Sequence, residues 1–443
     1  MDIKFYNSLS NKVEAFIPLK EKEVSLYVCG PTVYNYPHIG NFRPVIIFDT
    51  LTKFFENVNY KVHYVSNYTD VDDRIIDKAI KEGVSEKVIT DFYIDSFEET
   101  LQALNVKKAD LNPRVTDYIP QIVDYISHLI EKKGAYVKEG EVFFSVESVK
   151  DYGALSKINL DDLYSGARVE ENSKKNNPLD FLLWKDTKEG IKWKTPWCEG
   201  RPGWHTECCV MIDSIFNGKI DIHGGGMDLK FPHHENEIAQ AEIMHHNKIA
   251  NYWIHNGMVN LDGVKMSKSE GNVILAKDAI KLYGADTLRL AILNAPYRSV
   301  INISNKTIDD TNSILQKFSN CYKQANLLLE INKIKESNDN IKLIPFLEAL
   351  ADDINIPNGV TYLLDLIKEV NSNIRTKEID LNLLEKEFFA LNKIAYILGL
   401  HYNRRTLQEE EILLYKEYNE AKNNKDFAKS DLLRTKLVEL DII

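Results

Sequence analysis

One stretch near the N-terminus, VSLYVCGPTVYNYPHIGN (Val24–Asn41), decides the fold. It opens with a short apolar run that stops at Gly30-Pro31, which predicts a buried strand with an abrupt end. Apolar residues then recur at three- to four-residue intervals as far as Val58, as in an amphipathic helix, and Lys61–Val65 has the pattern of a second strand. Strand, helix and strand in this order predict a βαβ unit. Such units imply a parallel sheet that binds ligands at the carboxyl ends of its strands.

The sheet pattern returns after a long heterogeneous stretch. Residues 111–197 mix helical, strand and polar patterns, and we expect them to be an insertion. Lys219–His223 then has the pattern of a buried strand, and Asp262-Gly263 stands between apolar flanks, a strong signal for a type I′ hairpin. Beyond about Ile301 strand patterns vanish and helical patterns dominate. We therefore predict an α/β fold: a Rossmann-type parallel-sheet domain split by an insertion and followed by an α-helical C-terminal region.

The composition is typical of a folded protein, and the overall charge does not favour binding to nucleic acid. The 443 residues are 44% hydrophobic and 27% charged, near the averages for globular domains. Fifty-five basic and 66 acidic residues give a net charge of −11, so a nucleic-acid partner would need local basic patches. Neither a secretion signal nor a run of roughly 20 apolar residues is present, and we expect a cytoplasmic protein without a membrane partner. Five scattered cysteines argue against a disulfide framework and leave metal binding or burial.

The tetrapeptide His38-Ile39-Gly40-Asn41 joins the first predicted strand to the first predicted helix. Gly40 permits close approach of a nucleotide, and the N–H groups at the start of the helix attract anions. His38 can donate to a developing phosphate charge. On these four residues alone, an ordinary connecting loop with a surface histidine is an equal alternative.

The segment Lys265-Met266-Ser267-Lys268-Ser269 follows the predicted hairpin. Two lysines three positions apart, with small hydroxyl residues and a glycine nearby, suit a loop that closes over a triphosphate and stabilises the departing pyrophosphate. A solvated lysine-rich loop is the alternative. In this order and on these elements, the two segments resemble the HIGH and KMSKS signatures of class I aminoacyl-tRNA synthetases.

A third group of residues suggests a metal site. His233 and Glu237 are four positions apart and share one helical face, and with Cys29 and Cys208 they form a four-ligand set of the Cys₂HisGlu type that suits zinc. Burial of each residue as an ordinary core side chain is the alternative. Cys209 directly follows Cys208, and since consecutive helical residues point about 100° apart, only one of the two should face a metal.

The segments LYVCG, GWHTEC and FPHHENE resemble cysteinyl-tRNA synthetases, and the resemblance runs over nearly the whole chain. It implies that the protein activates L-cysteine with ATP to cysteinyl-adenylate and transfers cysteine to the 3′ adenosine of tRNA(Cys). One Zn²⁺ per chain would select the substrate thiolate and Mg²⁺ would accompany ATP; no obligatory protein partner is implied. A related cysteine ligase that acts on an amino-sugar, of the mycothiol-pathway type, is the alternative.

The resemblance also assigns roles to individual residues. The catalytic residues would be His38, Asn41, Lys265 and Lys268. The ATP-binding residues would be His38, Gly40, Asn41, Gly225, Asp228, Lys265, Met266, Ser267 and Lys268. The cysteine-binding residues would be Cys29, Thr69, Trp204 and His205, with a core tryptophan as the alternative for Trp204. Asn41 stands where the family motif has a second histidine, and an amide can donate a hydrogen bond but cannot become cationic.

The same resemblance divides the chain into six parts. Residues 1–110 and 198–257 would be the two halves of the catalytic domain, 111–197 the connective insertion, 258–300 the KMSKS-loop and stem-contact region, 301–402 a helical bundle, and 403–443 an incomplete anticodon-binding region. In the last part, Lys422, Lys425, Lys429 and Lys436 are predicted to lie on one face of a single helix. They would form a stripe that binds the tRNA backbone, although interspersed acidic residues make a charge-balanced solvated face an equal alternative.

Overall fold

The computed structural model describes residues 1–158, 174–265 and 273–443. The chain forms two compact units: one comprises Asp2–Leu282 with Tyr297–Asn302, and the other Met1, Tyr283–Pro296 and Ile303–Ile443. None of the helices in the described ranges is long and apolar enough to cross a membrane.

The described residues contain the following strands and helices. The strands are β1 (Lys4–Asn7), β2 (Lys12–Ala15), β3 (Glu23–Val28), β4 (Lys61–Ser66), β5 (Ala135–Lys138), β6 (Glu141–Phe144), β7 (Phe181–Asp186), β8 (Trp193–Lys194), β9 (Glu199–Pro202), β10 (Ile220–Gly226), β11 (Ala250–Asn256), β12 (Val259–Leu261), β13 (Val264–Lys265) and β14 (Ile301–Ile303). The helices of the first unit are α1 (Ile39–Asn57), α2 (Asp73–Glu82), α3 (Glu86–Ala103), α4 (Ile119–Glu131), α5 (Glu207–Phe216), α6 (Glu235–His245) and α7 (Ala276–Tyr283), the last of which ends one residue into the second unit. Those of the second unit are α8 (Ala285–Leu293), α9 (Asn305–Ile331), α10 (Ile344–Ala351), α11 (Ile356–Ile374), α12 (Leu381–Leu398), α13 (Glu409–Asn423) and α14 (Phe427–Glu439).

A parallel sheet with the strand order β11-β10-β3-β4 forms the centre of the first unit. The two middle strands are almost entirely buried, and Leu26 of β3 lies opposite Ile222 of β10. Helix α1 connects β3 to β4 and buries a face that includes Phe42, Ile46 and Phe54. The predicted α/β fold with a parallel sheet is therefore confirmed. Because all four strands run in one direction, their carboxyl ends meet at one edge.

The insertion contributes a separate antiparallel sheet with the order β5-β6-β7-β9-β8. Helix α4 packs its buried Ile122 and Ile126 into the same hydrophobic core as Val142 and Phe144. This sheet interrupts the parallel one between β4 and β10, as predicted from the sequence. It extends to Pro202, five residues beyond the expected boundary at 197, because β9 pairs with β7.

The predicted hairpin is confirmed. β12 and β13 pair antiparallel, and both turn residues have positive φ, 48° at Asp262 and 82° at Gly263, as a type I′ turn requires. The short strand β14 contradicts the expectation that strands end before Ile301. Three residues are too few for a periodic pattern to be recognised in the sequence.

The second unit is helical from α8 to α14, and among its described residues only Ile303, the last residue of β14, belongs to a strand. The helices begin at side-chain caps such as Ser304, Asn355 and Asp380. The single C-terminal helix predicted for the lysine stripe is wrong, because α13 ends at Asn423 and α14 begins at Phe427. The four lysines therefore do not share one helical face.

Candidate active site and metal centre

Four predicted metal ligands meet at the carboxyl edge of the parallel sheet. Cys29 directly follows β3, and Cys208 lies in the first turn of α5. His233 belongs to the turn Lys230–His234 that leads into α6, and Glu237 lies in the first turn of that helix. The Sγ atoms of Cys29 and Cys208 are 3.6 Å apart, and His233 Nε2 is 3.7 Å from Cys208 Sγ and 3.0 Å from Glu237 Oε1. Cys29 Sγ lies 3.8 Å from the same carboxylate oxygen.

These separations fit the edges of a zinc tetrahedron. With zinc about 2.3 Å from sulfur and about 2.0–2.2 Å from nitrogen or oxygen, tetrahedral angles require about 3.8 Å between two sulfurs and about 3.6 Å between sulfur and nitrogen. The nitrogen–oxygen edge should be about 3.4 Å. The observed edges of 3.6, 3.7 and 3.0 Å lie within about 0.4 Å of these values. The four side chains therefore form a donor set that could hold one zinc ion.

The four donors of the cluster have strongly shifted pKa values. Burial opposes ionisation of Glu237, but the neighbouring His223 and His233 outweigh it and hold the pKa of that carboxyl well below its ordinary value. The hydrogen bond with Cys29 lowers the pKa of Cys208 to about 6, whereas burial raises the pKa of Cys29 well above its ordinary value. Burial alone would lower the pKa of His233, but the neighbouring Glu237 and Cys208 raise it to about 10. A carboxylate and a readily ionised thiol are thus in place at neutral pH, and a metal would displace the proton of His233 on binding.

A second donor set overlaps the first and comprises Cys29, His223, His234 and Glu237. His223 Nε2 is 2.7 Å from the second carboxylate oxygen of Glu237, and His234 Nε2 is 3.3 Å from Cys29 Sγ. The other nitrogen of His234 lies 2.8 Å from His255 Nε2. These histidines surround the predicted ligands and orient them.

A cavity of about 430 Å³ opens next to the cluster. Its lining includes Cys29, which also belongs to the metal cluster, together with His38, Gly40 and Asn41 at the start of α1. The backbone N–H of His38 donates to Asn41 Oδ1 at 3.0 Å. The predicted nucleotide residues at the start of α1 and one of the predicted metal ligands, Cys29, therefore border one space.

The chain is similar to known proteins over its whole length. The family described as "tRNA synthetases class I (C) catalytic domain" matches residues 15–313, and a DALR domain matches residues 345–403. The cysteine–tRNA ligase of Finegoldia magna is 43% identical over 449 residues, which cover all of this chain and 97% of that protein. The chain belongs to the cysteine–tRNA ligase family. The predicted enzyme class, a class I aminoacyl-tRNA synthetase, is thereby confirmed.

A second cysteine–tRNA ligase and two solved structures are also similar to this chain. The cysteine–tRNA ligase of Halalkalibacterium halodurans is 42% identical over 457 residues, again covering all of this chain and 97% of that protein. Methionyl-tRNA synthetase of Mycobacterium tuberculosis bound by methionyl-adenylate superposes with a TM-score of 0.64 at 13% identity, over 92% of this chain and 96% of that one. A structure described as a putative arginyl-tRNA synthetase from Campylobacter jejuni gives a TM-score of 0.59 at 15% identity, over 88% and 95%. At such low identities the structural matches establish the fold alone.

Within this cysteine–tRNA ligase family member, Trp204 and His205, the predicted cysteine-binding residues, lie beside the metal cluster. The Trp204 ring stacks on His233 with 4.4 Å between the ring centroids and is 39% exposed, so it is not a core tryptophan. Trp204 also lines the cavity. His205 Nδ1 is 3.0 Å from His233 Nδ1, and burial lowers the pKa of His205 to about 3. His205 is therefore neutral at physiological pH.

Thr69 is buried below the cluster, where its hydroxyl donates to Glu207 Oε2 at 2.9 Å. Asn67 accepts a hydrogen bond from the backbone N–H of Gly30 at 3.0 Å. A Cβ atom on Gly30 would lie 1.6 Å from the carbonyl oxygen of Asn67, so only glycine permits this approach of β3 to β4. Burial raises the pKa of Glu207 well above its ordinary value.

The remaining predicted ATP residues divide into three groups. Asp228 lines the cavity, whereas Gly225 is not among its lining residues and packs against the ring of His234. Lys265 ends β13, and its side chain is outside the described part of the chain. Met266, Ser267 and Lys268 also lie outside the described residues.

Sequence reasoning missed four buried residues around the cluster: Glu207, His223, His234 and His255. His223 ends the strand that the sequence predicted, although β10 continues to Gly226; His255 lies one residue before the end of β11, and His234 is adjacent to a predicted ligand. A polar residue at the carboxyl end of an otherwise apolar parallel strand was the signal available in the sequence.

Proposed function

We propose that the chain activates L-cysteine with ATP, forming cysteinyl-adenylate and pyrophosphate, and then transfers cysteine to the 3′ adenosine of tRNA(Cys). One observation carries the proposal: Cys29 belongs to the metal cluster and also lines the cavity that His38 and Asn41 border. A substrate thiol near the cluster and a triphosphate near the start of α1 would therefore lie in one continuous space. Adenylate formation requires this juxtaposition of amino acid and nucleotide.

The proposed amino-acid side of the site uses Cys29, Cys208, His233 and Glu237 as zinc ligands. When bound, zinc would accept the substrate thiolate and favour sulfur over the hydroxyl of serine, since thiolates are the softer ligands. Discrimination by such a specific contact can make an editing site unnecessary. Neutral His205 and the stacked Trp204 would hold the His233 ring in the orientation that ligation needs.

The proposed nucleotide side begins at α1. Asn41 Oδ1 accepts the His38 N–H, so the Asn41 amide NH₂ is the group able to donate to a phosphate oxygen. His38, Gly40 and the N–H groups at the start of α1 would hold the phosphates with Mg²⁺. The sequence motif assigns Lys265, Met266, Ser267 and Lys268 to the same task, with Lys268 stabilising the transition state. Asp228 lies on the cavity wall and would contact the nucleotide, while Gly225 would act through its packing against His234.

The amino-sugar ligase is the competing function, because it would use the same adenylate. The DALR domain at residues 345–403 and the helices beyond it favour tRNA as the acceptor. We assign tRNA contact on the anticodon side to this helical part of the chain. The six-part division from the sequence is retained as a proposal, with the insertion extended to residue 202 to include all of its sheet.

The direct test is transfer of labelled cysteine, with ATP and total tRNA, into acid-precipitable RNA, with labelled serine in parallel. Label from cysteine alone is expected. Cysteine-dependent pyrophosphate exchange without labelled RNA, together with label on an added amino-sugar, would support the competing ligase. Absence of both exchange and transfer would contradict the proposal. Lys268→Ala should lower the rate of exchange far more than ATP affinity, and a loss confined to affinity would contradict the role of Lys268.

A further inference from the structure

Arg43 is a buried cation on α1, two residues after Asn41 and next to the cavity-lining Pro44. Its side chain is wholly buried, with 0% exposure. Nη1 donates to the carbonyl oxygen of Met258 at 2.7 Å, and Nη2 donates to the carbonyl oxygen of Tyr297 at 3.0 Å. Burial lowers the pKa of Arg43 to about 10, so the guanidinium stays charged at neutral pH. Both contacts are therefore charge-assisted.

The two carbonyls belong to segments that already bond to each other. The Met258 carbonyl also accepts the backbone N–H of Ile301 at 3.0 Å, and the Tyr297 carbonyl accepts that of Gly257 at 2.8 Å. A Cβ atom on Gly257 would lie 2.2 Å from the carbonyl oxygen of Ser299, so the two segments pack backbone against backbone. Arg43 connects the start of α1 to these two segments, because each carbonyl oxygen can accept its hydrogen bond through a second lone pair.

Two of the three segments that Arg43 joins, the start of α1 and the segment around Met258, form parts of the cavity wall. His38, Gly40 and Asn41 line the cavity from the start of α1, and the range Asn256–Val259 lines it from the connection between β11 and β12. We propose that Arg43 is a positioning residue for the nucleotide: its forked guanidinium fixes the start of α1 relative to residues 256–259. This inference rests on the proposed use of the cavity for ATP. Arg43 itself is not a lining residue and acts through the walls that it joins.

The geometry explains why an arginine suits this position. A planar guanidinium can donate to two acceptors from one fixed fork, whereas an ammonium is a point charge on a flexible stem. Arg43→Lys keeps the charge but should hold only one carbonyl well. Arg43→Met removes the charge and both contacts, and it leaves each carbonyl with its backbone partner. Comparison of Arg43→Met with the wild-type protein therefore measures the loss of the link between α1 and the two carbonyls, and no buried carbonyl is left unpaired.

Lys53 provides a matched control on the same helix. It is also a buried cation, 3% exposed, and its Nζ contacts Asp49 Oδ2 at 2.9 Å and the Asn105 carbonyl at 3.0 Å. It lies ten residues beyond Arg43 and is not among the residues that line the cavity. Lys53→Met should lower the midpoint of thermal unfolding but leave the KM for ATP within about twofold of wild type.

The test is cysteine-dependent ATP–pyrophosphate exchange, with kcat expressed per active site by titration of adenylate formed. Arg43→Met should lower kcat/KM for ATP by roughly 10- to 100-fold, with the KM for cysteine changed by less than about threefold, and the kcat/KM of Arg43→Lys should lie between those of Arg43→Met and the wild-type protein.

A wild-type value of kcat/KM for ATP in Arg43→Met, or a change equal to that of Lys53→Met, would overturn the inference. If Arg43→Met does not fold, wild-type ATP kinetics in Arg43→Lys would overturn it. Absence of exchange in the wild-type protein would instead refute the proposed function, and the ATP affinities of the same variants by equilibrium dialysis would then decide the role of Arg43.

Discussion

Adjacent cysteines on α5 offer a sharp test of the metal centre. Cys208 Sγ faces the cluster, 3.6 Å from Cys29 Sγ and 3.7 Å from His233 Nε2. Cys209 Sγ points away, 3.7 Å from each of two backbone carbonyl oxygens, those of His205 and Glu237. Both cysteines are almost fully buried. Replacing each with serine makes the same small change in volume and polarity, but only Cys208→Ser removes a thiolate donor.

The size of the expected loss follows from the number of donors. Zinc bound by four protein ligands has an apparent binding free energy of about 10–16 kcal/mol at pH 7. An equal share for each of the four side chains is about 2.5–4 kcal/mol, and each 1.4 kcal/mol is about tenfold in affinity. Cys208→Ser should therefore weaken zinc binding by roughly 10²- to 10³-fold. Cys209→Ser should change it by less than about threefold, since its sulfur contacts backbone carbonyl oxygens and not the donor atoms of the cluster.

The assay is titration of metal-free protein with zinc against a chromophoric chelator at fixed pH, followed by measurement of cysteine and serine affinities in the zinc-loaded proteins. Cys208→Ser should lose preference for cysteine along with zinc, and Cys209→Ser should keep both. Equal zinc affinity in the two variants would refute the donor set. Weaker zinc binding by Cys208→Ser without any loss of its preference for cysteine would support the donor set but refute its proposed role in selection.

Three further outcomes follow from single contacts. Gly30→Ala should lower the free energy of unfolding in urea by about 3 kcal/mol or more, because its Cβ would overlap the Asn67 carbonyl; an unchanged value would show that β3 and β4 can separate without cost. Asp221→Asn should cost about 2–3 kcal/mol in the same assay, since Oδ2 accepts the N–H and the hydroxyl of Ser25 while Oδ1 accepts the N–H of Leu19, and an amide has only one oxygen to accept with. Burial raises the pKa of the Cys321 thiol to about 12. Cys321 should therefore react with a thiol reagent at pH 8 roughly 10³-fold more slowly than a free thiol, as measured by peptide mass analysis, and faster as the pH rises toward 12. Rapid labelling at pH 8 would contradict its burial.

Local sequence patterns predicted those elements whose conformation depends mainly on neighbouring residues. The apolar run before Gly30 predicted β3 to within one residue at each end, and the helical spacing after it predicted the end of α1 to within one residue. Helix α1 begins earlier than expected, at Ile39, inside the tetrapeptide predicted to precede it. Asp262-Gly263 predicted the hairpin turn because both residues tolerate the positive φ that it requires. The four predicted metal ligands also lie together, because two of them share one helical turn and the others adjoin predicted element ends.

Other features depended on contacts between distant segments. His223 and His255 reach the cluster only because β10 and β11 pair in parallel register, which no local pattern specifies. The break between α13 and α14 was missed because no glycine or proline marks it; Lys425 supplies the left-handed turn with a φ of 59°. Tertiary packing of this helical pair, around Leu437 and its neighbours, outweighs the local preference for a continuous helix.

The position of the metal cluster links ligand binding to assembly of the divided sheet. Cys29 comes from the half of the sheet before the insertion, and Cys208, His233 and Glu237 follow the insertion. The two cysteines are 179 positions apart, yet their sulfurs lie 3.6 Å from each other. An unfolded chain cannot hold four such donors in place, so a metal that binds them stabilises only the state in which β3 and β10 are already paired. The same pairing places Cys29 on the wall of the cavity. With a metal bound, the residues proposed to select the amino acid would therefore also stabilise the pairing of the two halves of the parallel sheet.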